Sequence, residues 1–228
     1  MTGPDALAAL RALADPARAA QALAYHKVPR PYLGVTVPQV EVLAAAWRAS
    51  LSVDQRVALA GDLWRTDVHE ARVAAARLLT QARLRPDAAA WDLICSWVPD
   101  FDAWALADHA ADAGRRRLVA DPGRLDTVEG WTVSPHMWTR RAALVFTLPW
   151  TRQNHPRPQD LEIRDRILGW CAMLAPDRDW FIQKAIAWWL RDLSRHDPAR
   201  TRAFLETHGH RLKPFAAKEA GRHLPPAP

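Results

Sequence analysis

The chain is predicted to be all-α, an α-α superhelix (solenoid) of HEAT-like helical hairpin repeats, and three observations point there. Glycine is sparse at 9 of 228 residues, alanine, leucine and arginine dominate, and β-branched residues do not gather in alternating runs, a balance that favours helix over strand. Prolines at 86, 99, 122, 135, 149, 156, 158, 176 and 198 cut the chain into about a dozen short helical segments. Candidate second helices of successive hairpins begin near Asp67, Asp102, His136, Arg178 and Arg211, a spacing of roughly 35 to 40 residues that suits stacked two-helix repeats.

Short polar side chains mark the helix starts. Thr36 stands before Val37 and Pro38, Ser52 before Val53 and Asp54, and Asp87 before a run of alanines. Such side chains accept from the free N–H groups of a first turn, and proline tolerates that turn. In the second helices an aromatic residue recurs three places before a base: Trp138 before Arg141, Phe181 before Lys184 and Phe215 before Lys218. Two such positions share a helix face, so stacked repeats would line a concave surface with a positive stripe suited to a duplex. Each base taken singly is equally well read as a solvated neighbour of a core aromatic. Between Pro149 and Gln159, Arg152, Asn154, His155 and Arg157 lie among prolines, which predicts an exposed loop interrupting the repeat. One repeat domain is expected over 1–224, with 225–228 a disordered tail.

Composition narrows the function classes. Hydrophobic residues are 49% and charged residues 25% of the chain, and the mean hydropathy of -0.25 is that of a globular protein. No stretch approaches the roughly 20 apolar residues that span a bilayer, so no membrane partner is expected. The N-terminus, with Asp5 and Arg11 among alanines, lacks the order of a secretory signal, and the chain is expected to be cytoplasmic. Cys95 and Cys171 stand far apart, and His196, His208, His210 and His223 gather near the C-terminus without ligand spacing. Neither a disulfide framework nor a metal site is expected from them, and no cofactor is expected. Net charge +6 and a pI near 10.0 favour a polyanionic partner. Because lysines are few (Lys27, Lys184, Lys213, Lys218) and arginines many, whole-genome composition accounts for part of that charge.

The chemistry has to come from residues that a helical core does not explain. Most of the twelve tryptophans, Trp47, Trp64, Trp97 and Trp150 among them, sit beside leucine or alanine at helical spacing, and packing accounts for them. Trp104 is followed four residues later by Asp108, which puts an indole and a carboxylate on one helix face. Arg141 follows Arg140 on the next second helix, and Trp188 lies four residues after Lys184 on the one after that. In a regular stack Trp104, Asp108, Arg141 and Trp188 would face one groove. Taken alone, Asp108 is also read as a surface or capping carboxylate, and Trp188 as a core neighbour of Trp189.

Several stretches carry a resemblance. They are Tyr25; Tyr32, Leu33, Gly34 and Val35 with Pro38; Leu63, Trp64 and Glu70 ahead of an alanine-rich helix; Trp104 with Asp108; Trp138 with Arg141, Ala142 and Ala143; and, as the longest string, Phe181 through Arg191. Over Tyr25 to His223 the sequence resembles the alkylpurine DNA glycosylases of the AlkD type, the DNA alkylation repair family with HEAT-like repeats. Ala105 departs from that pattern, standing where an acidic residue is common.

The resemblance implies hydrolysis of the N-glycosidic bond of cationic alkylpurines such as 3-methyladenine and 7-methylguanine in damaged double-stranded DNA, without a base-flipping pocket; a monomer is expected, as is common for repeat stacks. It implies Asp108 as the catalytic aspartate, Trp104 and Trp188 as sugar-facing indoles, Arg141 as a DNA-contacting arginine and Tyr25 as an aromatic at the edge of the site. Arg140, Lys184 and Arg191 complete the DNA-binding set. The chemistry is coherent, because an alkylated purine already carries positive charge and leaves without prior protonation. A fixed carboxylate then stabilises the oxocarbenium-like sugar and orients water. Two other classes compete: a non-catalytic DNA-binding module, and a protein-protein scaffold with an acidic partner helix.

Overall fold

Capping chemistry sets where the helices begin. In the computed structural model, which describes residues 1–224, α1 (Gly3–Arg11) opens on a reciprocal pair in which the Asp5 N–H donates to Thr2 Oγ1 and the Thr2 N–H to Asp5. Asp15 accepts from the Arg18 N–H at 3.0 Å ahead of α2 (Pro16–His26). The Thr36 N–H donates to Gln39 at 2.9 Å before α3 (Val37–Ser50), and Ser52 and Gln55 cap α4 (Val53–Arg65) reciprocally. Asp87 also stands where predicted, before α6 (Ala88–Trp97), but makes no capping bond; its carboxylate lies 3.7 Å from the Arg117 guanidinium.

Packing divides the described chain into two compact units, Met1–Ala120 and one beginning at Asp121. The first holds α1 to α4, α5 (His69–Leu78), α6 (Ala88–Trp97) and α7 (Trp104–Ala120). Here α5 packs against α3, α4 and α7, and α6 against α7. Ala71, Ala74, Ala75 and Leu78 of α5 are fully buried; small residues let the neighbouring helices approach closely. Burial of Leu63 and Leu78 at 0% exposure contributes about 1.5–3 kcal/mol each.

The second unit holds α8 (Leu125–Trp131), α9 (Met137–Phe146), α10 (Pro158–Leu174), α11 (Trp180–Ser194), α12 (Pro198–His208) and α13 (Pro214–Ala220). Helix α11 packs against both α9 and α13, with Phe146, Trp189, Leu190 and Leu193 fully buried. Gln183, also fully buried, donates to the Ala175 and Asp177 carbonyls and accepts from the Lys213 N–H at 2.7 Å, tying α11 to the start of α13.

Thirteen α-helices and no strands occur among the described residues, which is the predicted all-α class. The five predicted second helices are α5, α7, α9, α11 and α13, each beginning one to three residues after its predicted start. The segment expected as an exposed loop between Pro149 and Gln159 is different at its start. It opens as a 3-10 turn, Leu148–Arg152, with Trp150 and Thr151 buried. Arg164 reaches it from α10 and donates to the Trp150 and Gln153 carbonyls at 2.8 Å each. Arg152, Asn154, His155 and Arg157 are exposed, as are Pro158 and Gln159. The predicted tail, 225–228, lies outside the described residues.

Candidate functional site

In the first unit the site is built on the start of α7. Ala105, Leu106 and Ala107 are buried, while Trp104 is 39% exposed and Asp108 half-buried. The face carrying indole and carboxylate therefore points outward, as the four-residue spacing requires. Tyr25, on the last turn of α2 and 69% exposed, meets the Trp104 ring edge-on at 6.1 Å.

Buried charge holds the segments that carry these groups. Arg30 is buried between Asp67, just before α5, and Asp102, just before α7, and so ties the approaches to both helices together. Glu70, 3% exposed, accepts from the Leu33 N–H at 2.9 Å and the Gly34 N–H at 2.7 Å. That is the physical content of the stretch from Tyr32 to Val35 and its distant glutamate.

Behind Tyr25 and Trp104 lies a ring cluster the sequence reading missed. His26 stacks on His69 at 4.8 Å and on Tyr32 at 5.8 Å, and lies 6.0 Å from Trp104. Burial lowers the pKa of His69 to about 3, with the charges of His26, Arg30 and His109 acting in the same direction; burial likewise lowers His26. His109, next to Asp108, is lowered by burial and by Arg77, against the raising influence of Asp112 and Asp108. The signal in the sequence was adjacency alone: His26 follows Tyr25 and His69 precedes Glu70.

In the second unit the recurring aromatics meet. Trp138 lies 4.6 Å from Phe181, Phe181 5.0 Å from Trp180, and Trp180 6.1 Å from Phe215. The bases beside them differ in setting. Lys184 is exposed and stands 4.5 Å over Trp180 rather than over Phe181. Arg141 is 6% exposed, its guanidinium 5.7 Å from the Trp138 centroid. Arg140 pairs with Asp177 and donates to the Ser134 and Pro135 carbonyls, and Arg191 pairs with Glu219. Trp188 is half-buried, its Nε1 donating to Asp192 at 3.2 Å, whereas Trp189 is fully buried.

The C-terminal histidines go to separate partners, His196 to Asn154 and His223 to Arg195. Among the described residues no three His, Cys, Asp or Glu side chains are grouped to hold a metal ion. No helix among them is long and apolar enough to cross a membrane.

The model of a protein family described as DNA alkylation repair enzyme matches residues 6–224. Among solved structures, a predicted DNA alkylation repair enzyme from Enterococcus faecalis is 20% identical, with a TM-score of 0.79, covering 94% of this chain and 98% of its own. AlkD2 from Streptococcus mutans is 20% identical with a TM-score of 0.63, covering 83% of this chain and 91% of its own. The protein smu.31 from Streptococcus mutans UA159 gives the same identity and TM-score over 83% of this chain and 93% of its own. Among curated proteins none matches.

Proposed function

The chain belongs to the DNA alkylation repair enzyme family, and from that premise we propose that it is a DNA glycosylase hydrolysing the N-glycosidic bond of cationic alkylated purines in duplex DNA. The observation that carries this reading is the outward-facing pair on α7, Trp104 and Asp108, with Tyr25 edge-on to the indole. A positively charged purine is a good leaving group, so the reaction needs no strong general acid. It needs negative charge fixed beside the sugar as positive charge develops there. Asp108 supplies that charge and orients the attacking water. The exposed face of Trp104 holds the electron-poor sugar through its π cloud, and Trp188 keeps the same role in this reading.

Lys184 is the exposed base best suited to a phosphate, with Arg140, Arg141 and Arg191 assigned to the DNA-binding set. The chain acts as a monomer, one HEAT-like repeat domain over 1–224, in the cytoplasm, on damaged double-stranded DNA and without a base-flipping pocket or cofactor.

The test is release of free methylated purine from duplex DNA containing 7-methylguanine, by the wild type and by Asp108→Asn. Asparagine keeps the size and removes the charge, and release should fall about 100- to 1000-fold, the scale of losing one transition-state electrostatic contact. Duplex affinity should be retained and should weaken steeply with added salt. Salt-sensitive binding without any release by the wild type would replace this reading with a DNA-binding module.

A further inference from the structure

Helix α2 buries none of its residues. Its half-buried positions, Ala19, Ala22 and His26, form one stripe at helical spacing. The first turn rests on Gly34, where a Cβ would lie 2.7 Å from the Ala19 nitrogen. The last residue, His26, rests on rings: it stacks on His69 and Tyr32, whose own centroids are 5.0 Å apart. Tyr25, the neighbour of His26 in sequence, projects from that same turn to Trp104.

We propose that His26 is a positioning residue for the reaction: by stacking on His69 and Tyr32 it fixes the last turn of α2 and so holds the Tyr25 ring against Trp104, one helical turn from Asp108. This rests on the reading of Asp108 as the catalytic carboxylate.

The stack is a device for uncharged imidazoles. His26 Nδ1 is buried with no hydrogen-bond partner among the described residues, so a proton placed there would find no acceptor. Of the charged groups facing the pair, Glu70 favours a proton on His26 and Arg30 opposes it; for His69, the charges of His26, Arg30 and His109 all oppose one. The Arg30 charge is itself met by Asp67 and Asp102. Burial disfavours charge on both rings, so the stack is closed at neutral pH and opens in acid.

The chain has two tyrosines, Tyr25 and Tyr32, so 3-fluorotyrosine labelling gives two fluorine resonances, assigned with Tyr32→Phe. At neutral pH the Tyr25 resonance should sit away from the solvent-exposed value, displaced by the Trp104 ring, and should move towards that value as pH falls. His26→Ala should place it at the exposed value throughout. His26→Phe, which restores a flat ring, should keep the wild-type position and flatten the pH dependence. In single-turnover release from 7-methylguanine duplex, the alanine variant should lose about tenfold or more in rate with duplex affinity changed less than about twofold, and the phenylalanine variant should stay within about threefold of wild type. A Tyr25 resonance unmoved by His26→Ala, or a phenylalanine variant as impaired as the alanine one, overturns the positioning role whatever the wild-type activity. A wild type that releases no purine while the fluorine signals behave as described removes the reaction and leaves His26 as the residue that seats Tyr25.

Discussion

At the scale of single residues, a buried carboxylate has to be matched group for group. Glu70 presents its two oxygens to two backbone N–H groups, of Leu33 and Gly34. Glu70→Gln turns one acceptor into an NH2 group facing a donor, and leaves a buried N–H without its bond. The expected loss is about 1–3 kcal/mol of unfolding free energy, read by urea denaturation. Asp108→Asn should move the same midpoint less, because Asp108 is half-buried where Glu70 is buried. A Glu70→Gln midpoint equal to wild type would mean that the two N–H groups find other acceptors. Both residues were visible in the sequence, Glu70 as part of a resemblance and Asp108 by its spacing from Trp104. The partners of Glu70 were not, because they lie 37 and 36 residues away and only tertiary packing brings them near. Trp188 and Trp189 were likewise indistinguishable until α11 turned one into the core and the other outward.

At the scale of elements, local chemistry carried far and lateral contact did not. The starts of α3 and α4 were legible at Thr36 and Ser52 because a cap is a bond between near neighbours; Asp87 marked the start of α6 by position, without making a capping bond. The pairing of Lys184 with Trp180 was not, since an i,i+3 and an i,i+4 aromatic are equally reachable from a helical lysine and side-chain direction decides between them. Nor was the seating of α2, which depends on Gly34. That residue has φ +76, in the left-handed region, and its missing Cβ leaves room for the first turn of α2. Gly34→Ala should therefore cost about 1–2 kcal/mol in backbone strain alone and push the first turn of α2 away. Hydrogen exchange of the α2 amides should quicken while α5 and α7 amides keep their relative protection. Unchanged protection along α2 would show that Gly34 is not one of its supports.

At the scale of the whole molecule, the all-α class was legible from composition and proline spacing. The division at Ala120 and Asp121 was not, because compactness is a property of contacts far apart in sequence. The buried start of the 149–159 segment escaped for the same reason, Arg164 of α10 being what holds it. The scatter of half-buried imidazoles has a consequence for the molecule as a whole. His69 takes its proton at about 3 in the folded chain against 6.5 ordinarily, and His26 and His109 are lowered as well. Between those values the unfolded chain binds more protons than the folded one, so stability rises with pH and falls as the medium is acidified. One proton corresponds to about 1.4 kcal/mol per pH unit. Asp160, lowered to about 2 by its bonds to Arg157, stabilises fully above its ordinary value of 3.8 and loses that contribution only in stronger acid. Glu129 and Glu219, lowered from 4.5 by their bonds to Arg166 and Arg191, begin to add to the slope as pH approaches 4.5, so the imidazoles dominate the interval from about pH 6 to about pH 5. Urea unfolding across that interval should give a free energy that declines by at least one proton's worth per unit, and His69→Phe should remove about one proton from the slope. A wild-type profile that is flat over the same interval would mean that these rings are solvated well enough to titrate as they do in the unfolded chain.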